Sequence, residues 1–151
     1  MDRIRGYTLI ELVIVLALFS ILITISVPNF GLLRAYKETQ ELKEFKRDIL
    51  FARNQAIVVG EPHKILIDYD LNYYSIVKNG ETIKSHYFSS GVKVVKKIFH
   101  IEESSINDID FNRTGRPSNA GTIFLKNSKS EYYRITISPA SGNVNLYRGE
   151  K

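Results

Sequence analysis

The sequence predicts an α+β protein, with a long N-terminal α-helix packed on a C-terminal antiparallel β-sheet domain. Three observations predict it. Residues 7–27 form an apolar run whose only charged side chain is Glu11. Apolar residues then recur every three or four positions as far as Ala56, the spacing of one helical face. After Gly60 the alternation falls to two and stays there, which marks strands. Strands that follow a helix in a contiguous set, rather than alternating with helices, argue for α+β.

The chain has 151 residues, 44% hydrophobic and 25% charged. That is room for one domain and a separate terminal segment. There is no cysteine, which excludes disulfides and cysteine metal sites. The net charge of +5 permits an anionic partner without requiring one.

Four segments follow in order: 1–6, 7–27, 28–60 and 61–151. Residues 1–6 are too short to fold, and Arg3 and Arg5 hold that end in the cytoplasm. The run 7–27 exceeds the apolar core of about 7–15 residues in a secretory signal and matches the roughly 20 needed to span a bilayer. Glu11 is costly there, about 2.5–3.5 kcal/mol on an insertion scale, so it calls for a partner. Pro28 and Gly31 predict a kink near Pro28, because proline removes a helix hydrogen bond and clashes with the preceding turn. Beyond it, Leu32, Ala35, Leu42, Phe45, Ile49, Ala52 and Ala56 form an apolar stripe with Thr39 in one slot. Arg34, Lys37, Glu38, Glu41, Lys43, Glu44, Lys46, Arg47 and Asp48 form the opposite, solvated face. Gly60 and Pro62 end the helix.

Strands are expected over 63–69, 73–78, 82–88, 92–99, 109–111, 122–125, 132–137 and 143–147. Asn79-Gly80 is a hairpin turn signal. Asp68 and Asp70 flank another turn, where aspartate bonds its own backbone. Residues 102–108 read as a polar loop.

Gly6-Tyr7-Thr8-Leu9-Ile10-Glu11-Leu12, behind a basic leader and ahead of the apolar run, resembles the signal of type IV prepilins and type II secretion pseudopilins. The resemblance implies cleavage by a prepilin peptidase between Gly6 and Tyr7 and methylation of the new Tyr7 amine. It also implies an assembly contact at Glu11, a partly melted helix around Pro28, and a pilin fold. Physical reasoning agrees: an amine and a carboxylate in lipid are far less costly as a pair than alone. The stretch 49–57, Ile109-Asp110-Phe111-Asn112-Arg113-Thr114-Gly115, Gly121-Thr122-Ile123-Phe124-Leu125 and the stretch 135–144 are similar to the GspH/FimT family of minor pilins. Its members help start a filament or sit near its tip, in secretion pseudopili, type IV pili and competence pili. The implied partners are other pilins or pseudopilins, the prepilin peptidase, the inner-membrane assembly platform and the lipid bilayer. The implied location is a single-pass inner-membrane precursor, leader inside and domain outside, and then an extracytoplasmic filament. The rival expectation is a membrane-anchored extracytoplasmic binding protein, with DNA for uptake as one candidate ligand, that uses this segment only as a tether.

Nucleic acid is the sharpest additional ligand. Arg113, Arg116, Lys126, Lys129, Arg134, Arg148 and Lys151 face only Glu131 and Glu150 beyond Phe111, and Tyr132, Tyr133 and Tyr147 are available to stack on bases. DNA-binding members of the FimT branch carry Gly-Arg-x-Arg where this chain has Gly142-Asn143-Val144-Asn145. Both arginines are missing, so a solvated basic face is favoured over DNA. No catalytic group, cofactor or metal is expected. His63, His86 and His100 fall on different strands without ligand spacing, and Glu102, Glu103, Asp108 and Asp110 lack the rhythm of a calcium loop. No phosphate loop or nucleophile elbow is present.

Overall fold

The computed structural model describes residues 7–26, 30–99 and 108–149. Pro28, and with it the expected kink, lies outside them, as do the leader through Gly6, His100, Glu102, Glu103 and Lys151. The chain divides into two units, Met1–Leu33 and Arg34–Lys151.

The first unit contains α1 (Leu9–Ser26). Its residues are leucine, isoleucine and valine almost throughout, and every described side chain from residue 7 to residue 24 is exposed. Leu32 of the expected stripe also falls in this unit and is 68% exposed.

The second unit carries most of α2 (Phe30–Val59) and eight strands. Leu42, Phe45, Ile49, Ala52 and Ala56 of the stripe are buried. They join one core with strand residues, and the Phe45 ring lies 4.6 Å from Tyr74 and 5.4 Å from Phe88. Thr39 is exposed instead and returns its hydroxyl to the Ala35 carbonyl. The expected solvated face is also corrected: Glu38, Glu41 and Asp48 are buried, because loop backbone at Ser128 and at Ser89–Ser90 meets Glu38 and Glu41, and the strand side chains Tyr74 and Lys84 meet Asp48.

The strands form two four-stranded antiparallel sheets. The first is ordered β3-β2-β1-β5 and the second β4-β6-β7-β8. In the first, β1 (His63–Asp68) pairs with β2 (Tyr73–Lys78), β2 with β3 (Glu81–Tyr87), and β1 with β5 (Asp108–Phe111). In the second, β6 (Gly121–Lys126) lies between β4 (Lys93–Phe99) and β7 (Tyr132–Ile137), and β8 (Val144–Arg148) closes the far edge. Ile65, Ile67 and Ile109 from one sheet and Ile123, Leu125, Ile135, Ile137 and Val144 from the other are buried in that core. The β2–β3 turn has positive φ at both Asn79 and Gly80, the requirement of a type I′ hairpin. Asp68 Oδ1 accepts from the backbone N–H groups of Asp70 and Leu71, each at 2.9 Å, so its expected turn role is realised.

Candidate functional site

The N-terminal segment is built around Thr8 and Glu11. The Glu11 N–H donates to the Thr8 carbonyl at 3.1 Å and reaches Thr8 Oγ1 at 3.4 Å. Thr8 thereby caps the helix, with Glu11 three positions on, half of a capping box. The first turn also favours a carboxylate through the helix dipole. Further along, Ser20 donates to the Leu16 carbonyl at 2.8 Å and Thr24 to the Ser20 carbonyl at 2.7 Å. Their hydroxyls are therefore satisfied on their own helix, and the surface of α1 is left apolar around one exposed acid. Tyr7, just before the helix, is 89% exposed. Among the described residues no helix is long and apolar enough to cross a membrane. The 18 residues of α1 reach about 27 Å at 1.5 Å each, just short of a hydrocarbon core of about 30 Å.

In the second unit, the buried carboxylates of α2 collect donors from the strands and the loops between them. Glu41 Oε1 accepts from the Ser89 N–H at 2.7 Å and from the Ser90 N–H at 3.2 Å. Glu38 Oε1 accepts from the Ser128 N–H at 3.2 Å and pairs with Arg34 at 3.5 Å. Asp48 takes the Tyr74 hydroxyl at 2.7 Å and the Lys84 ammonium at 2.7 Å. Burial, and then the hydrogen bond to Asp48, push the Tyr74 phenol far above its ordinary value. For Lys84, desolvation pulls the ammonium down, but the hydrogen bond and charge of Asp48, joined by Glu44, outweigh it and the net shift is upward. Glu41 and Glu38 fix the turns after β3 and β6 to the helix, and Asp48 ties β2 and β3 to it.

A second junction surrounds Arg53. Its Nε donates to the Gly115 carbonyl at 3.2 Å. Gly142, at φ +65°, sits against that same carbonyl oxygen, and an added Cβ would collide with it. The helix end, the turn after β5 and the turn after β7 thus meet at one point. Each lies in a stretch that the sequence marked as similar to minor pilins, but nothing local in the sequence signals their contact.

The predicted basic residues do not form one cluster. Lys126 and Arg134 lie on the second sheet, and each sits over a ring: Lys126 Nζ is 5.7 Å from the Tyr132 centroid and Arg134 Cζ is 5.0 Å from that of Tyr147. Arg148 is taken by Glu131 at 2.6 Å. Hydrogen bonds from Asn127 and then Arg148 hold the Glu131 carboxyl below its usual range. Arg113 and Arg116 are exposed around the Asn112–Gly115 turn, and Lys129 in the turn between β6 and β7. Tyr133, a candidate for stacking, packs against the core instead.

His63 is buried, with Nδ1 2.9 Å from the Glu61 carbonyl. His86 lies beside Glu41, and Asp108 and Asp110 straddle Lys64 at 3.8 and 3.5 Å. Among the described residues no group of three or more histidines or acids is placed to hold a metal ion.

Comparison with known proteins adds sequence and fold. Residues 1–27 match the prokaryotic N-terminal methylation motif, and residues 41–141 match the family described as type II transport protein GspH. The competence protein ComGD of Bacillus subtilis (strain 168) is 32% identical over 149 residues, covering 95% of this chain and 94% of that one. The minor pseudopilin EpsH of the type 2 secretion system of Vibrio cholerae superposes with a TM-score of 0.58 at 16% identity, over 76% of this chain and 99% of that one. The type IV minor pilin FimU of Pseudomonas aeruginosa gives 0.56 at 16% identity, over 72% and 91%. The fold is the pilin fold of both structures.

Proposed function

The chain belongs to the GspH family and is a minor pilin or pseudopilin subunit, and from that premise we propose that it serves a competence pseudopilus, one that takes up DNA. The observation that carries this choice among machines is the full-length similarity to a competence protein. Members of this family are structural subunits, and the family implies processing by a prepilin peptidase and assembly with other pilins.

In this reading the peptidase removes residues 1–6, and Tyr7 becomes the methylated N-terminus. The methylation motif over residues 1–27 and the exposure of Tyr7 beside a capped helix start support it. The freed amine and the Glu11 carboxylate are opposite charges on an otherwise apolar segment. In a bundle of such helices the amine of one subunit meets Glu11 of the next, which relieves the cost of burying either and sets the axial register. Pro28 permits local melting as the helix enters the bundle. Before assembly, residues 7–27 anchor the precursor in the inner membrane, with residues 61–151 outside.

Mass spectrometry of the native protein tests the processing step. The expected N-terminus is Tyr7 carrying one methyl group, and an intact Met1 would overturn the assignment. Gly6→Leu is expected to accumulate precursor. Deletion of the gene is expected to abolish transformation while protein secretion continues; the reverse pattern would move the subunit to a secretion machine.

A further inference from the structure

Strand pairing in the second sheet sorts its residues into cross-strand rows. The rows facing away from the core can be read from the register. Lys93 pairs with Lys126, and Lys126 with Tyr132. Lys96 pairs with Phe124, Phe124 with Arg134, and Arg134 with Tyr147. In the next row Ile98 pairs with Thr122, Thr122 with Thr136, and Thr136 with Asn145. The intervening residues Ile123, Leu125, Ile135, Ile137 and Val144 are buried, so Lys93 and the members of these rows on β6, β7 and β8 lie on the opposite face. Period-two alternation enforces that division.

The composition of this face is one-sided. It carries lysines, an arginine and three aromatic rings, and no carboxylate stands in any of the three rows. Lys93 and Arg134 are exposed, Phe124 and Tyr132 are half-buried, and Tyr147 is 44% exposed. Ring, cation and ring follow one another in Phe124, Arg134 and Tyr147, and two cations already sit over rings. Lys129 extends the basic end in the adjoining turn. Glu131, which precedes β7, is held by Asn127 and Arg148.

We propose that this outer face of the second sheet binds single-stranded nucleic acid, with Phe124, Tyr132 and Tyr147 stacking on bases and Lys93, Lys126 and Arg134 holding phosphates. Charge complementarity selects a polyanion. Interleaved rings on a flat sheet select one whose bases are free to stack, since bases in a duplex are not. A duplex, reached only through phosphates, has no use for the rings. The face is separate from the Gly142–Asn145 stretch, where the sequence lacks arginines. It deepens the DNA-uptake reading and rests on it, but makes no demand on filament assembly.

The test uses the processed full-length chain in detergent micelles and fluorescence anisotropy with a labelled 20-mer oligothymidylate. Binding is expected at low salt, weakening as salt rises. The charge-neutral changes Tyr147→Leu and Tyr132→Leu are each expected to weaken it by about 5- to 150-fold, the range of one lost base stack. Arg134→Gln should lower the salt slope by roughly one phosphate contact, while Lys43→Gln, an exposed lysine of α2, changes neither. No binding at low salt overturns the proposal. So does tyrosine-independent binding that heparin or a duplex of equal length matches, which would mean phosphate contact alone. Incorporation into filaments is scored in parallel: tyrosine variants that assemble but do not bind confine the loss to this face, and a parent chain that binds but never enters filaments would fault the subunit reading instead.

Discussion

The N-terminal helix and the sheet unit obey opposite burial patterns. In α1 the apolar side chains are outside: Leu12, Leu16, Phe19 and Leu22 are each between 57 and 59% exposed. In α2 three carboxylates are inside, with Glu38 at 2% and Asp48 at 5% exposure. Exposed apolar surface of that extent marks an interaction region, and in the proposed function lipid or other pilin helices cover it. Buried charge is tolerated only when hydrogen-bonded, and the partners there come from the unit's own strands and loops. Burial is decided by which partner is within reach, and polarity is only a first guide to it.

Introducing a charge into α1 should break this contrast most sharply. Leu16→Glu adds about 2.5–3.5 kcal/mol to membrane insertion, so the subunit is expected to vanish from sheared filaments. Thermal unfolding of the sheet unit should stay within about 0.5 kcal/mol of the parent. Glu11→Ala should be processed normally yet fail to assemble; normal filament numbers would remove its pairing role.

The converse change removes a buried acid. Asp48→Ala takes the partner from the Tyr74 hydroxyl and the Lys84 ammonium, and chemical denaturation should report a loss of about 2–3 kcal/mol. Glu41→Ala leaves the Ser89 and Ser90 N–H groups without their acceptor, for about 1–3 kcal/mol. Neither should alter cleavage of the leader. Gly142→Ala forces a side chain into a left-handed conformation against the Gly115 carbonyl, at about 1–3 kcal/mol.

A smaller effect lies at alkaline pH. Burial pushes the Tyr69 phenol up to about 12, and its hydroxyl is buried without a partner. The folded state therefore favours the neutral phenol. This contribution is intact below the unfolded value of about 10 and is lost as pH rises from there through 12. Tyr69→Phe should flatten the decline in melting temperature over that interval and change little at pH 7, since no hydrogen bond is lost.

Elements were legible in the sequence wherever the signal was local. The stripe Leu42, Phe45, Ile49, Ala52 and Ala56 repeats within one helix, and Asn79-Gly80 carries its turn chemistry in two residues. The Asp68 turn is equally local. Glu38, Glu41 and Asp48 were read as solvated because a helical wheel shows only their own helix. Their donors at Ser89, Ser128 and Lys84 lie between 36 and 90 residues away in sequence. The contact of Arg53, Gly115 and Gly142 is hidden for the same reason, and the six described basic candidates divide between a sheet face, an edge and two turns only through the strand register.

The sequence by itself determined the order of segments, the strand pattern, the single acid in an apolar run and the resemblance to minor pilins. These are properties of neighbouring residues and their periodicity. Only the tertiary structure decided that the strands form two sheets, which acids the loops cover, and which cations share a face with tyrosines. Those outcomes depend on contacts between residues far apart in the chain, where the energy of a side chain is set by what folding places against it.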